Sequence, residues 1–206
     1  MGLHRFCDYE GKILLTTDVN DSLCDAILAK PDYFVKTVNE LGVDYLTTFD
    51  SYTYFDMPAY ISRQNINRTL RFIPHFRDCN AELIGLVLGS NSSQIRDHAR
   101  TLTGLGMKIL AYPGYELRRY KLHRLLQFRI DIVRRVVNAP VLALSCSAWS
   151  GSRTILADYY SSHSWFPLSA SKDTYLGRGY ESLKRMSKNC DNLSKQEVLK
   201  DWVAAE

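Results

Sequence analysis

Short apolar, β-prone runs alternate with longer stretches of helical periodicity along most of this chain, and that alternation is what most narrows its fold. The first run is Lys12 to Thr17 (KILLTT), followed by a helical stretch from Asp21 to Leu41 in which Pro31 either breaks the helix or starts its second half. Gly42 stands where a helix-closing glycine belongs. The second run is Val43 to Phe49, the third Glu82 to Leu88, the fourth Lys108 to Tyr112 and the fifth Val141 to Ser145, with Thr154 to Tyr160 a sixth candidate. Between them lie a polar helix over Pro58 to Leu70, a helix over Gln94 to Leu105 capped by Ser90 to Ser93, and a long helix over Glu116 to Val137. Arg178 to Lys188 and Lys195 to Ala204 read as closing helices.

Strand, helix and strand at this repeat length mean parallel strands joined by crossover helices. The chain therefore reads as one α/β domain over 1–206, and the choice is between a parallel (β/α) barrel-like core, TIM-barrel-related and truncated, and an open doubly wound sheet. No G-x-G-x-x-G follows the first strand and no Walker A motif occurs, so the usual signature of a nucleotide-binding open sheet is missing. The five cysteines, Cys7, Cys24, Cys79, Cys146 and Cys190, are odd in number and scattered, with no metal-ligand spacing. Neither a metal nor a cofactor is expected. Met1 to Glu10 already holds Arg5, Asp8 and Glu10, and no run is long and apolar enough to span a membrane, so the expectation is a cytoplasmic protein with no membrane partner.

Charge is divided unequally. Residues 1–100 hold 10 Lys and Arg against 13 Asp and Glu, whereas 101–206 hold 16 against 9. The stretch Glu116 to Arg135 concentrates Arg118, Arg119, Lys121, Arg124, Arg129, Arg134 and Arg135, and a second cluster holds Lys172, Arg178, Lys184, Arg185 and Lys188. Such runs suit phosphate contact, and equally a solvated helix face.

In either parallel architecture the functional groups sit at the carboxyl ends of the strands. That rule selects Asp18, Asp50, Leu88 to Ser90, Tyr112 to Gly114, Ser145 to Ser147, and Asp158 with Ser161 to Trp165. Asp after a strand is also a common helix cap or turn former. Asp50 lies among Phe49, Tyr52, Tyr54 and Phe55, a set that suits stacking on a flat heterocycle beside a carboxylate, and equally suits packing on a neighbouring helix. Gly89 and Gly114 offer close backbone approach to a ligand or serve as plain turns. His75, His98 and His123 lack a carboxylate at a convincing spacing and read as surface or packing residues, whereas His163, close to Asp158, is a candidate proton donor.

The stretch ELIGLVLGSNSSQIRDHARTLTGLGMKILAYPG, Glu82 to Gly114, resembles the part of the tRNA-guanine transglycosylases that runs from a G-x-V-Q-G strand end through a helix to a Gly-rich turn. LGVDYLTTFDSYTYFD resembles the segment with that family's base-reading aspartate, and ADYYSSHSW the strand end with its nucleophile, especially in the divergent relatives that act on DNA. The resemblance implies a nucleic-acid base-exchange enzyme. Asp158 would attack the anomeric carbon, with Ser161 competing for that position, and Asp50 would read the guanine or 7-deazaguanine edge. Tyr52, Leu88, Gly89, Tyr112 and Gly114 would line the base, and Arg118, Arg119, Arg124, Lys172 and Arg178 would hold tRNA or DNA. Leu88 replaces the family's Gln, and the C-x-C-x-x-C zinc motif is absent. The alternatives are an inactive nucleic-acid-binding homologue or partner subunit, and an unrelated barrel enzyme acting on a small phosphorylated metabolite; homo- and hetero-oligomers both remain open.

Overall fold

The computed structural model describes residues 2–7, 10–19, 21–146, 149–150 and 153–161. All of them lie in one compact unit, Met1–Ser161, and the expected closing helices fall in the remaining unit, Ser162–Glu206, outside the described residues. The helices are α1 (Leu3–Cys7), α2 (Asp21–Ala29), α3 (Pro31–Leu41), α4 (Ala59–Phe72), α5 (Ser92–Gly104), α6 (Tyr115–Arg119) and α7 (His123–Val136). The strands are β1 (Leu14–Leu15), β2 (Tyr45–Thr47), β3 (Glu82–Leu86), β4 (Ile109–Pro113), β5 (Val141–Leu144), β6 (Trp149–Ser150), β7 (Arg153–Thr154) and β8 (Tyr159–Tyr160). None of the described helices is long and apolar enough to cross a membrane.

Six strands form a wholly parallel sheet in the order β1, β2, β3, β4, β5, β8, and β6 and β7 make a separate antiparallel hairpin. Each strand lies beside its predecessor in that series, with none of the order reversal that defines a doubly wound sheet. The barrel alternative is therefore the one realised, as a half-barrel. Its curl is measurable: four strand spacings of about 4.8 Å would put the ends of β1 and β5 roughly 19 Å apart in a flat sheet. Yet Ser145, just after β5, donates to Asp18, just after β1, at 3.2 Å.

Alternation along the strands sorts the core into two faces. Val87, Leu110, Tyr112, Val141 and Ala143 pack with Ile95, Ala99 and Leu102 of α5 and with Leu126, Ile130 and Val133 of α7. Ile84, Leu86, Leu88, Ala111, Leu142 and Leu144 form a second cluster with Ile66 of α4. Around Phe49, residues of α2, α3 and the 3-10 turn Ile73–Asp78 make a third.

Local signals explain most boundaries. Pro31 occupies the first turn of α3, and Gly42 (φ 65°) closes that helix with its amide on the Val38 carbonyl. Asn91 caps α5, its side chain accepting from the Gln94 amide at 3.1 Å. Two expectations need correction. The single basic helix over 116–137 is two helices, because α6 ends in a Schellman motif: Lys121 takes the left-handed conformation (φ 58°), Lys121 N bonds Arg118 O at 2.9 Å, and Leu122 N bonds Leu117 O at 2.7 Å. A lysine fills the place usually held by Gly, while Leu117 is buried and Leu122 packs against the same cluster. The sixth strand is also shorter than read. Arg153–Thr154 pairs in the hairpin, and the strand that joins the sheet begins at Tyr159.

Candidate functional site at the carboxyl edge of the sheet

A threonine relay carries strand alignment past the regular ladder. Thr17 N donates to Thr47 Oγ1 at 2.7 Å, Thr17 Oγ1 donates to Thr48 O at 2.5 Å, and Leu86 N donates to Thr48 Oγ1 at 2.9 Å. These buried bonds fix the segments that deliver Asp18 and Asp50 to the same edge.

Asp50 accepts from the Ser51 amide at 2.7 Å, and the Cys24 thiol lies 4.0 Å from its other oxygen. Loss of water around the carboxyl, followed by the charge of Asp18, pushes its pKa well above the usual carboxylate range; the Ser51 amide opposes the rise and Asp21 adds to it. The same surroundings push Cys24 up to about 12, chiefly through burial and then through Asp50, Asp21 and Asp18. Cys146 rises to about 11, through burial first, with Arg118 opposing and Asp18 adding. Asp18, Asp50, Cys24, Cys146 and Arg118 therefore share one electrostatic neighbourhood. Both thiols are held in the protonated, unreactive form.

The aromatics near Asp50 divide by role. Phe49 is core, its ring centroid 4.4 Å from Phe76 and 5.7 Å from Phe34. Tyr54 donates to Asp21 Oδ1 at 2.6 Å, and Tyr52 donates to Asp25 Oδ2, so the loop after β2 is fastened to α2. Bonding to those carboxylates contributes to raising both phenols, Tyr52 to about 12, with Asp25 the leading cause there and burial leading for Tyr54. Phe55 meets Tyr120 edge to face at 5.8 Å.

Gly89 and Gly114 are required by packing. A Cβ on Gly89 would lie 2.9 Å from the Ile95 amide, and one on Gly114 would lie 2.0 Å from Cys146 Sγ. Leu88 is a core side chain whose amide donates to His98 Nδ1 at 2.9 Å, and burial lowers His98 to about 4, leaving it neutral. Tyr112 is likewise buried, and its hydroxyl accepts from Arg129 at 3.0 Å.

Arg129 was missed as a special position, because the sequence shows only another cation in a basic run. It is 5% exposed, and its guanidinium also donates to Ser90 O at 2.7 Å and Gly89 O at 3.3 Å, tying α7 to the ends of β3 and β4. The fork geometry of Arg matches these several acceptors, which a lysine could not serve together.

Asp158 stands at the other edge. Its amide bonds Val141 O at 3.0 Å, and its Oδ2 accepts from the amide of Val141, the first residue of β5, at 2.8 Å. Arg134 lies 3.6 Å from Oδ1. The expectation that Asp158 and Asp50 share a pocket is corrected: Asp158 precedes β8 and anchors its amino end. Ser161 follows β8, its amide bonding Ala143 O at 3.0 Å, so it is Ser161 that reaches the carboxyl edge. Arg118 and Arg119 lie on α6 and Arg124 on α7, with the Arg119 guanidinium 5.9 Å from the Tyr120 ring centroid. Lys172, Arg178 and His163 fall outside the described residues. A surface groove bordered by Asp32, Lys36, Glu40 and His75 involves α3 and the 3-10 turn, and no strand-end residue lines it.

Comparison with protein-family models and with curated proteins finds no match for this chain.

Proposed function

We propose that the mouth of the half-barrel exchanges a guanine-type base at the anomeric carbon of a nucleotide in tRNA or DNA, with Asp18 and Asp50 as the carboxyl pair. The observation that carries this reading is that the buried threonine bonds bring Asp18 and Asp50 to one carboxyl edge, where burial and the charge of Asp18 raise the proton affinity of Asp50. Two carboxyl groups with separated proton affinities divide the labour of glycosyl transfer. An Asp18 oxygen bonds the anomeric carbon as its bond to the base nitrogen breaks, the electron pair passes to that nitrogen, and the nitrogen takes its proton from Asp50. An incoming base reverses the sequence and restores both groups. Arg118, Arg119 and Arg124 supply the phosphate contacts, which makes polymer binding fall steeply with salt.

A second reading, base and polynucleotide binding without exchange, draws support from Ser161, a serine in place of a carboxylate after β8. One experiment separates them. Labelled guanine or a labelled 7-deazaguanine is incubated with the full chain and either tRNA or DNA. Incorporation that Asp18→Asn abolishes, with polymer binding retained, supports exchange. Binding without incorporation selects the second reading, and absence of both rejects the two together.

A further inference from the structure

Among the described residues, Lys121 and Ser145 are the non-glycine positions with positive φ. The first is accounted for by the close of α6. The second, at φ 54°, ends a strand, where an L-residue gains nothing from the left-handed conformation and incurs about 1–2 kcal/mol of strain. Its surroundings leave it no alternative: Ser145 is buried, the Gly114 amide grips the Leu144 carbonyl at 2.9 Å, and Cys146 fills the space that a Gly114 side chain would take. That turn carries the Ser145 hydroxyl to Asp18 Oδ2, at 3.2 Å, between residues 127 positions apart.

We infer that Ser145 is a positioning residue, its strained backbone and hydroxyl holding the Asp18 carboxylate in place across the mouth of the half-barrel. This rests on the reading of Asp18 as the attacking group. A hydroxyl that donates to a carboxylate favours the ionised form, the form that attacks. Among the described residues, the titratable and charged groups of this neighbourhood include Asp21 and Cys24 on α2, Asp50 after β2, Arg118 on α6 and Cys146 after β5. Asp21 disfavours charge on Asp18 and Arg118 favours it, both through space and both unchanged when Ser145 is replaced, so the variants isolate the contribution of the hydroxyl.

The test is a carbon-13 NMR titration of the side-chain carboxyls in the full chain, the Asp18 signal being identified by its loss in Asp18→Asn. Ser145→Ala and Ser145→Gly should each raise the Asp18 midpoint by about one pH unit, the size of one hydrogen bond to a charged group. Ser145→Gly also removes the strain, so its melting temperature should hold and the readout does not depend on whether the alanine variant folds. Base exchange should fall about tenfold in kcat with KM for the base unchanged. An Asp18 midpoint in Ser145→Gly equal to that of the wild type overturns the inference. A midpoint that moves in a protein whose wild type never exchanges bases supports the clasp and rejects the exchange reading alone.

Discussion

The two edges of the parallel sheet use the same side chain for opposite ends. At the amino edge, Asp44 accepts from Lys12 at 2.7 Å and from the Ile13 amide at 2.8 Å, with His4 at 2.9 Å, and these bonds, Lys12 foremost, hold its carboxyl down at about 2. Asp158 repeats the arrangement with the Val141 amide and Arg134. At the carboxyl edge Asp50 has no ion-pair partner among the described residues, faces the charge of Asp18, and is pushed up. An aspartate that receives a strand amide and a cation is fastening the sheet. One that is dehydrated beside its own kind is held at a cost in stability.

The largest expected effect comes from adding one carbon at each edge. Gly114→Ala drives a Cβ into Cys146 and should cost about 3 kcal/mol, read as a fall in melting temperature of roughly 6–12 °C, partly recovered by Cys146→Ala. Gly42→Ala, in the turn before β2, meets no atom within 4 Å and should cost only about 1 kcal/mol, for its left-handed backbone. Equal losses would dissolve the contrast in packing.

Asp50→Asn should stabilise. A carboxyl raised in the folded state holds its proton more tightly there than in the unfolded chain, so it lowers stability as pH climbs above the ordinary carboxylate range near 4. The amide removes that penalty, so stability should rise by about 1–3 kcal/mol above pH 6 while the two proteins converge below pH 4. Any exchange activity should disappear with the proton. A variant that melts lower at pH 7 would place Asp50 with the fastening aspartates.

Asp44→Asn should do the reverse. A depressed carboxyl contributes stability above the unfolded value near 4 and loses it as pH falls toward about 2, so wild type and variant should differ at pH 7 and converge in acid. The smallest effect belongs to Asp158→Asn, which keeps an acceptor for Val141 and gives up only the partly exposed Arg134 pairing, worth about 1 kcal/mol or less. Base exchange should be untouched by it. Lost exchange in a protein of unchanged melting temperature would return Asp158 to the site.

Much of this edge contrast was legible beforehand, and the failures have physical causes. Apolar runs and their spacing give six parallel strands, and Asp18 and Asp50 are selected by the strand-end rule alone. Asp158 obeys the same rule only if its strand starts early. The register in which Tyr159 and Tyr160, rather than Thr154, join β5 is decided by pairing with Leu142 and Ala143, which no local pattern announces. The close of α6 is hidden because its left-handed residue is Lys121, so the basic run looks continuous. Arg129 carries no local signal, and Ser145 is selected by the strand-end rule without any sign of the partner it meets. One is recognised by the carbonyls it reaches and the other by a partner from the opposite end of the unit.

The Asp18 to Ser145 contact also sets an order of events. Each strand pairs with one supplied shortly before it in the chain, so most of the sheet can assemble in step with synthesis. The contact across the mouth spans 127 positions and waits for β5 to dock. A nascent chain that has emerged only through β4 has α1 to α5 and four of the six parallel strands, and its Asp18 still lacks the Ser145 hydroxyl. The bond that ties the ends of β1 and β5 together across the half-barrel is thus made only after the strands between them are in place.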